Sequence, residues 1–327
     1  MDIILNPTNK CNFNCTFCLA RNLKNSTLSI DHTIKLLKRY EKDLNKLIIN
    51  GGDPLMMPPE YYEKLLEYLG TLNHEVFVSF TTNLLDWYLN PKKWHKILSN
   101  HNVGVITSFQ YGNQRRIKGE GTYAEDKFIN IENKFYEEFG YRPNFISVID
   151  LYNFRIAHKN VELAKELGVK CKLNKLLHIG AARKTTQYFP RYKILKLYCQ
   201  IYDMGLSEYE MNTPLLKAHF NGSETQCPLN RNCYKGIRTI NNNGTIYQCE
   251  NLVSEEEFNK YRINSKSSPD KFAKDNLFIM PKCIGCKNFK FCNSCRMVIH
   301  EACVKNDREN YCKQMRRVIP ELKKRFR

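Results

Sequence analysis

The sequence predicts an α/β fold, a partial six-unit barrel followed by a small Cys-rich domain, and two observations carry this. Up to about Tyr198, short β-rich runs alternate with amphipathic helical stretches, the pattern of a parallel sheet with crossover helices. From about Asn212 the alternation stops, and Cys, Asn and Lys dominate. The strand candidates are Ile3–Leu5, Leu47–Asn50, Val76–Thr82, Val103–Phe109, Phe145–Ile149 and Val169–Leu173. Six units fall short of a full eight-unit barrel, so an open or partial one is expected, with its chemistry at the carboxyl ends of the strands.

Between the strands lie Asp31–Leu44, Pro59–Leu69, Lys92–Leu98, Tyr123–Phe139 and Asn153–Leu167. Asp31 reads as an N-cap and Gly168 as a stop. The last helix, about Tyr311–Arg325, is rich in Lys and Arg and reads as a solvated cap that Pro320 should kink or interrupt. The expected division is a barrel over 1–205, a linker over 206–220 and a Cys-rich domain with a C-terminal helix over 221–327.

The chain has 327 residues, with 51 Lys plus Arg against 33 Asp plus Glu, a formal charge of +18. Hydrophobic residues at 42% exclude a largely disordered chain. No apolar run approaches the roughly 18 residues that span a bilayer. The N-terminus lacks the basic region of a signal peptide, so a cytoplasmic location without membrane attachment is expected. Fourteen cysteines in such a chain point to metal or catalytic roles, because cytosolic thiols are kept reduced.

Cys11, Cys15 and Cys18 form Cys-x3-Cys-x2-Cys shortly after the first strand. Three thiolates in one loop suit three irons of a [4Fe–4S] cluster and leave the fourth iron open, as catalysis requires. The alternatives are a zinc site lacking its fourth ligand, or three reduced thiols. With Phe17 before the last cysteine, this loop resembles the signature of the radical S-adenosylmethionine (radical SAM) enzymes. The resemblance implies a TIM-like partial (β/α)6 barrel whose open iron chelates S-adenosylmethionine and generates a 5′-deoxyadenosyl radical. It also implies a low-potential electron donor, a flavodoxin or ferredoxin.

Further segments fit the same resemblance. Gly51-Gly52-Asp53-Pro54 is similar to the family's Gly-Gly-Glu-Pro motif, which receives the methionine ammonium. Thr82 and Asn83 end the third strand as a Thr-Asn-Gly motif would, with Leu84 in place of Gly. Ser108 lies in a loosely similar segment after the fourth strand. By analogy Asp150 and Leu173, on the fifth and sixth strands, would contact ribose and adenine. Arg183 sits in a Gly-Arg-Ala-like segment, displaced.

The later cysteines, Cys227-x5-Cys233, Gly244-x4-Cys249, Cys283-x2-Cys286-x5-Cys292-x2-Cys295 and Cys312, resemble the SPASM extension of radical enzymes. That likeness implies two auxiliary [4Fe–4S] clusters, three clusters in all. The first would use Cys227, Cys233, Cys249 and Cys295, and the second Cys283, Cys286, Cys292 and Cys312. The spacing before Cys295 is one residue short, so Cys303 is the alternative ligand, and two zinc sites are the alternative metal reading. Glu250 follows Cys249, where an acidic residue serves as catalytic base in similar sulfatase-maturing enzymes.

Proteins of this layout mostly modify ribosomally made peptides or proteins, by crosslinking, thioether formation or epimerisation; sulfatase maturation is the other enzymatic reading. The positive charge suits an acidic substrate. No leader-recognition domain is read before the first strand, so a leader is expected to dock elsewhere on the chain or through a separate recognition protein. The reading from a different class is a basic, metal-stabilised nucleic-acid-binding protein. The three-cysteine loop, lacking a fourth ligand, argues against it.

Overall fold

In a computed structural model of the chain, all residues are described except 22, 24, 224–235, 254–255, 265–269 and 278–279. Six parallel strands follow one another across the sheet: β1 (Asp2–Leu5), β2 (Lys46–Ile49), β3 (Phe77–Thr81), β4 (Val103–Ser108), β5 (Asn144–Ile149) and β6 (Cys171–Lys175). Sequential order with a helix on each crossover is the wound half-barrel that the alternation predicts. Ile3, Leu5, Leu47, Ile49, Val78 and Phe80 are buried to within 1% on the helix side. Fully burying each such side chain is worth about 1.5–3 kcal/mol.

The crossovers are α1 (Ile30–Leu37), α2 (Pro59–Gly70), α3 (Leu85–Leu89) with α4 (Pro91–Leu98), α5 (Glu125–Phe139) and α6 (His158–Leu167). Gly168 caps α6 in the left-handed conformation at φ +68°, as expected. Asp31 is not the N-cap of α1. Ser29 is, its Oγ accepting from the His32 amide at 3.3 Å, while Asp31 lies in the first turn, where a negative charge suits the helix dipole. The helix also stops seven residues before Leu44, because the chain must turn through Glu41–Asp43 and bury Leu44 to enter β2.

Two features reach beyond the six units. A seventh strand, β7 (Ile237–Ile240), pairs parallel to the outer edge of β1 with Leu5 opposite Ile240, and β8 (Ile246–Tyr247) pairs antiparallel to it. At the other edge, the segment after α7 (Arg191–Asp203) is tied to β6 by Glu210. Its buried carboxylate accepts from the amides of Leu173, Asn212 and Thr213 at 2.7–3.0 Å, and the Met211 amide donates to the Cys171 carbonyl. The segment expected as a linker thus holds α8 (Thr213–Phe220) and covers a sheet edge.

The C-terminal part packs on the barrel through α9 (Arg296–Val304) and α10 (Arg308–Phe326). Glu301 of α9 forms a buried pair with Lys175 at 2.5 Å and accepts from the His178 amide at 2.6 Å. The last helix departs from expectation twice. It is not merely solvated, since Tyr311, Met315, Val318, Ile319, Leu322 and Phe326 are buried against the rest of the chain. It also runs unbroken through Pro320. Pro320 and Arg316 are both exposed, so the carbonyl that loses its donor can turn to water while the buried face holds the helix together. Among the described residues, no helix is long and apolar enough to cross a membrane.

Candidate active site

The predicted segments at the ends of the first four strands meet at one rim. The Cys11–Cys18 loop leaves β1 and lies against the turn after β2, where the Gly52 amide donates to the Thr8 carbonyl and the Asp53 amide to the Lys10 carbonyl, both at 2.8 Å. The approach is so close that a Cβ on Gly52 would sit 2.2 Å from the Lys10 oxygen, and Gly51 has φ +120°. Only glycine fits either position.

Asp53 is buried, and its carboxylate accepts from Thr82 Oγ1 at 2.9 Å and from the amides of Asn83 (2.8 Å) and Leu55 (2.9 Å). Burial pushes its pKa up to about 6 against these hydrogen bonds. The side chain therefore fastens the end of β3 to the turn after β2. Asn83 extends the chain of contacts, donating to Asn12 Oδ1 at 2.7 Å beside the Cys11 sulfur at 3.9 Å. Leu84, where the family has glycine, is left-handed at φ +61° and fully buried; its packing offsets a backbone cost of about 1–2 kcal/mol.

The cysteine loop is held from above by a segment that the sequence reading did not single out. After β4 the chain forms a short hairpin, Arg116–Ile117 with Gly121–Thr122, and the backbone around it pairs with the loop. Asn14 donates to the Arg116 carbonyl, Thr16 to that of Gln114, and Lys118 to that of Asn12. Arg115 in this segment is 7% exposed; its guanidinium donates to Ser108 Oγ (2.9 Å) and Gln110 Oε1 (3.3 Å) and lies 5.3 Å from the Phe17 ring. Among the described residues no carboxylate pairs with it. A buried guanidinium without an acid is suited to a ligand's carboxylate. No motif announces it; the sequence offers only an arginine in the loop after a strand end.

Asp150 is buried in a turn after β5, where Oδ1 accepts from the Tyr152 and Asn153 amides, and burial raises its pKa. Leu173 is not brought to the rim. Its side chain is in the core, its amide donates to Glu210, and its carbonyl accepts from Tyr198 and Asn212, which leaves no group for an adenine. Strand alternation turns Lys172 and Asn174 toward the other face. Arg183 pairs with Glu257 at 2.7 Å.

Glu250 arrives from the far end of the chain. Its carboxylate accepts from Asn50 Nδ2 at 3.2 Å to each oxygen, directly before the Gly51-Gly52 turn, and desolvation raises its pKa. The oxygens of Asn6 and Asn50, Nε2 of Gln110 and Nε of Arg115 are buried at strand ends without partners among the described residues. Such orphaned polar atoms are what a bound polar ligand would satisfy.

The thiols also fit the groups the sequence implies. Burial raises the pKa values of Cys11 and Cys18, and neighbouring thiols add to it: Cys15 and Cys18 lie close enough to act on Cys11, and Cys15 on Cys18. Burial likewise pushes Cys292 up to about 12, opposed by Arg191 and reinforced by the thiols of Cys286, Cys312 and Cys283. Those four cysteines line a single cavity. Cys227 and Cys233 lie outside the described residues. Cys249 and Cys295 flank the same small core of Tyr247, Leu252, Phe258 and Met297; Cys295 also packs on the main core, as Cys303 does. Among the described residues, no three His, Cys, Asp or Glu converge as ligands of one metal ion. Zinc draws its thiolates to about 2.3 Å from a single centre. A cubane sets a wider ring, with one iron per thiolate.

A half-barrel of six parallel strands with a three-cysteine loop over its rim is the architecture of radical SAM proteins. The family model described as "Radical SAM superfamily" matches residues 5–184, more than half of the chain, and the protein belongs to that superfamily. The cysteine-type anaerobic sulfatase-maturating enzyme of Clostridium perfringens is 19% identical over 90% of this chain and 89% of its own. The GTP 3′,8-cyclase of Staphylococcus aureus is 30% identical over 36% of this chain and 38% of its own. Among solved structures, native anSMEcpe with bound AdoMet and Cp18Cys peptide superposes with TM-score 0.72 at 18% identity, covering 98% of this chain and 97% of that one. Streptococcus suis SuiB bound to precursor peptide SuiA does so with TM-score 0.63 at 16% identity, covering 90% and 71%. The likeness in structure confirms the partial-barrel fold. Membership makes the protein a radical SAM enzyme, and the family implies a [4Fe–4S] cluster and S-adenosylmethionine.

Proposed function

We propose that this radical SAM enzyme modifies a residue of a ribosomally made peptide or protein, with Glu250 as the base that takes a proton from the substrate. The observation that carries this reading is the Glu250 carboxylate, hydrogen-bonded by Asn50 at the rim where the cofactor motifs meet. The peptide-bound solved structures and the sulfatase-maturating relatives support a peptide or protein as substrate. The charge of +18 favours an acidic one.

In this reading Cys11, Cys15 and Cys18 each hold an iron. Cys227, Cys233, Cys249 and Cys295 hold a first auxiliary cluster, and Cys283, Cys286, Cys292 and Cys312 a second. When bound, the cluster held by Cys11, Cys15 and Cys18 would, with S-adenosylmethionine, supply the adenosyl radical that abstracts hydrogen. The chain's own residues do the rest. Arg115 holds the methionine carboxylate, Gly51 and Gly52 admit the ammonium against the backbone, and Phe17, Ser108 and Asp150 border the nucleoside. Asp53, Thr82 and Asn83 keep the two turns in register, with Pro54 starting the turn that follows. Glu250 receives the proton, its raised pKa matching it better to a base's task near neutrality. A flavodoxin or ferredoxin donor and a separate leader-recognition protein complete the proposal, with domain limits of 1–205 and 221–327 joined by 206–220 as a helical segment packed on the sheet edge.

Anaerobic purification and co-expression with a short peptide encoded beside the gene test it. The expected result is brown protein with about 12 irons and a peptide changed in mass. Colourless protein that does not cleave S-adenosylmethionine sinks the reading. Formylglycine in a sulfatase peptide would select sulfatase maturation.

A further inference from the structure

The barrel sends one fully buried cation into the Cys-rich region. Arg191, first residue of α7, is 4% exposed. Its Nη1 donates to the carbonyls of Phe291 and Cys292, each at 3.2 Å, and to Tyr311 Oη at 3.4 Å. Its Nη2 donates to Ser294 Oγ at 2.8 Å, and its plane lies 4.9 Å from the Phe291 ring. The guanidinium is thus wrapped by the turn from Phe291 to Cys295, and the thiols of Cys292 and Cys295 are both within electrostatic reach. Tyr311 ties the arrangement down by donating to the Cys292 carbonyl at 3.0 Å.

No carboxylate lies within salt-bridge distance of Arg191 among the described residues. His219, whose ring lies 5.2 Å from that of Phe291, is the nearest titratable neighbour on α8; its pKa is lowered by burial and by the surrounding cations, which favours the neutral form. An unpaired buried charge costs several kcal/mol. Neutral carbonyls and hydroxyls offset only part of that. A tetrathiolate cubane is an anion, and the proposed ligand sets put Cys292 in one cubane and Cys295 in the other.

We infer that Arg191 is the shared counter-charge and positioning residue of the two auxiliary clusters, holding the turn that carries one ligand of each and raising both reduction potentials. This rests on the reading of two auxiliary clusters. It goes beyond it by making a barrel residue part of their site. A cation beside an anionic cluster favours the reduced, more negative form, so removing it must lower the potential.

The test uses reconstituted full-length enzyme with Arg191→Gln, which keeps hydrogen bonding without charge, and Arg191→Lys, which keeps charge without the fork. Iron content and potentials from redox titration followed by electron paramagnetic resonance are read for all three clusters. The Gln variant should show both auxiliary potentials lowered and that of the Cys11–Cys18 cluster unmoved, with Lys nearer the parent. If Gln loses auxiliary iron while Lys keeps it, the charge is again what matters. Parent potentials in the Gln variant, movement of only one cluster, or equal iron loss in both variants overturns the inference. A parent protein with only about four irons fails the auxiliary-cluster reading itself, a separate result.

Discussion

The two cysteine-bearing regions are held in different ways. The Cys11–Cys18 loop is fastened by backbone hydrogen bonds to the turn after β2 and to the hairpin after β4, and the fastening residues are fastened in turn by Asp53. The region from Cys249 to Cys312 has short helical turns, a small satellite core, and thiols arranged around a cavity. The first site is pre-organised by polypeptide. On the proposed reading, the second would draw further order from its clusters, beyond its packing on the main core, as in domains whose metal-binding free energy is folding free energy.

Removal of iron gives the largest expected effect on this contrast. In apo-protein, amide exchange over 249–312 should accelerate strongly while β1–β6 keep their protection. Equal protection in both regions would show that the C-terminal part folds on its own.

Ligand variants sharpen it. Cys15→Ala should abolish S-adenosylmethionine cleavage yet leave the circular dichroism of the parent, because the loop's hydrogen bonds do not involve that sulfur. Cys286→Ala should abolish product, lower the thermal stability of the Cys-rich region and leave uncoupled 5′-deoxyadenosine formation measurable. Retained cleavage in the first variant, or normal product in the second, breaks the assignments separately.

Glu250 sits where the regions meet. Glu250→Gln should lower product formation by roughly 10² to 10⁴, while deuterium from labelled substrate still reaches 5′-deoxyadenosine. In the parent, a base with a raised pKa is active above that pKa. The acid limb of kcat/KM should therefore lie above the ordinary carboxylate range and vanish in the variant. An unchanged rate would return Glu250 to a purely structural role.

How much of this was legible follows from the range of the interactions involved. Strand and helix periods are local, so all six barrel strands were expected within two residues of their observed starts. The cysteine loop announces itself by spacing. By contrast, β7 joins β1 across more than 230 residues, and its four residues carry no local signal of that partner. The hairpin over the cysteine loop is two residues to a strand, below what alternation reveals. Leu173 was misplaced toward the ligand because strand position alone does not state which face a residue takes. Pro320 misled for a related reason, since the tolerance of a helix for proline depends on which side meets water.

The smallest effect tests whether the barrel is stable without help from the other region. Glu132 of α5 is fully buried, neither of its carboxylate oxygens has a partner among the described residues, and burial pushes its pKa up to about 8, with Arg142 only partly opposing. A carboxyl whose folded pKa lies above its unfolded value of 4.5 binds more protons in the native state between those limits. Stability is then full below about pH 4.5, falls as the pH rises to about 8, and is level beyond. Glu132→Gln cannot ionise, so it should remove this slope and exceed the parent by on the order of 5 kcal/mol at pH 9, the two converging at low pH. Both tryptophans, Trp87 and Trp94, lie in the barrel, and Trp87 packs on Phe135 of α5 at 5.0 Å, so denaturation followed by tryptophan fluorescence reports this region alone. Performed on apo-protein and holoenzyme, the difference between variant and parent should be the same. A difference that depends on bound iron would show that the two regions unfold as one, and that the barrel borrows stability from the clusters beside it.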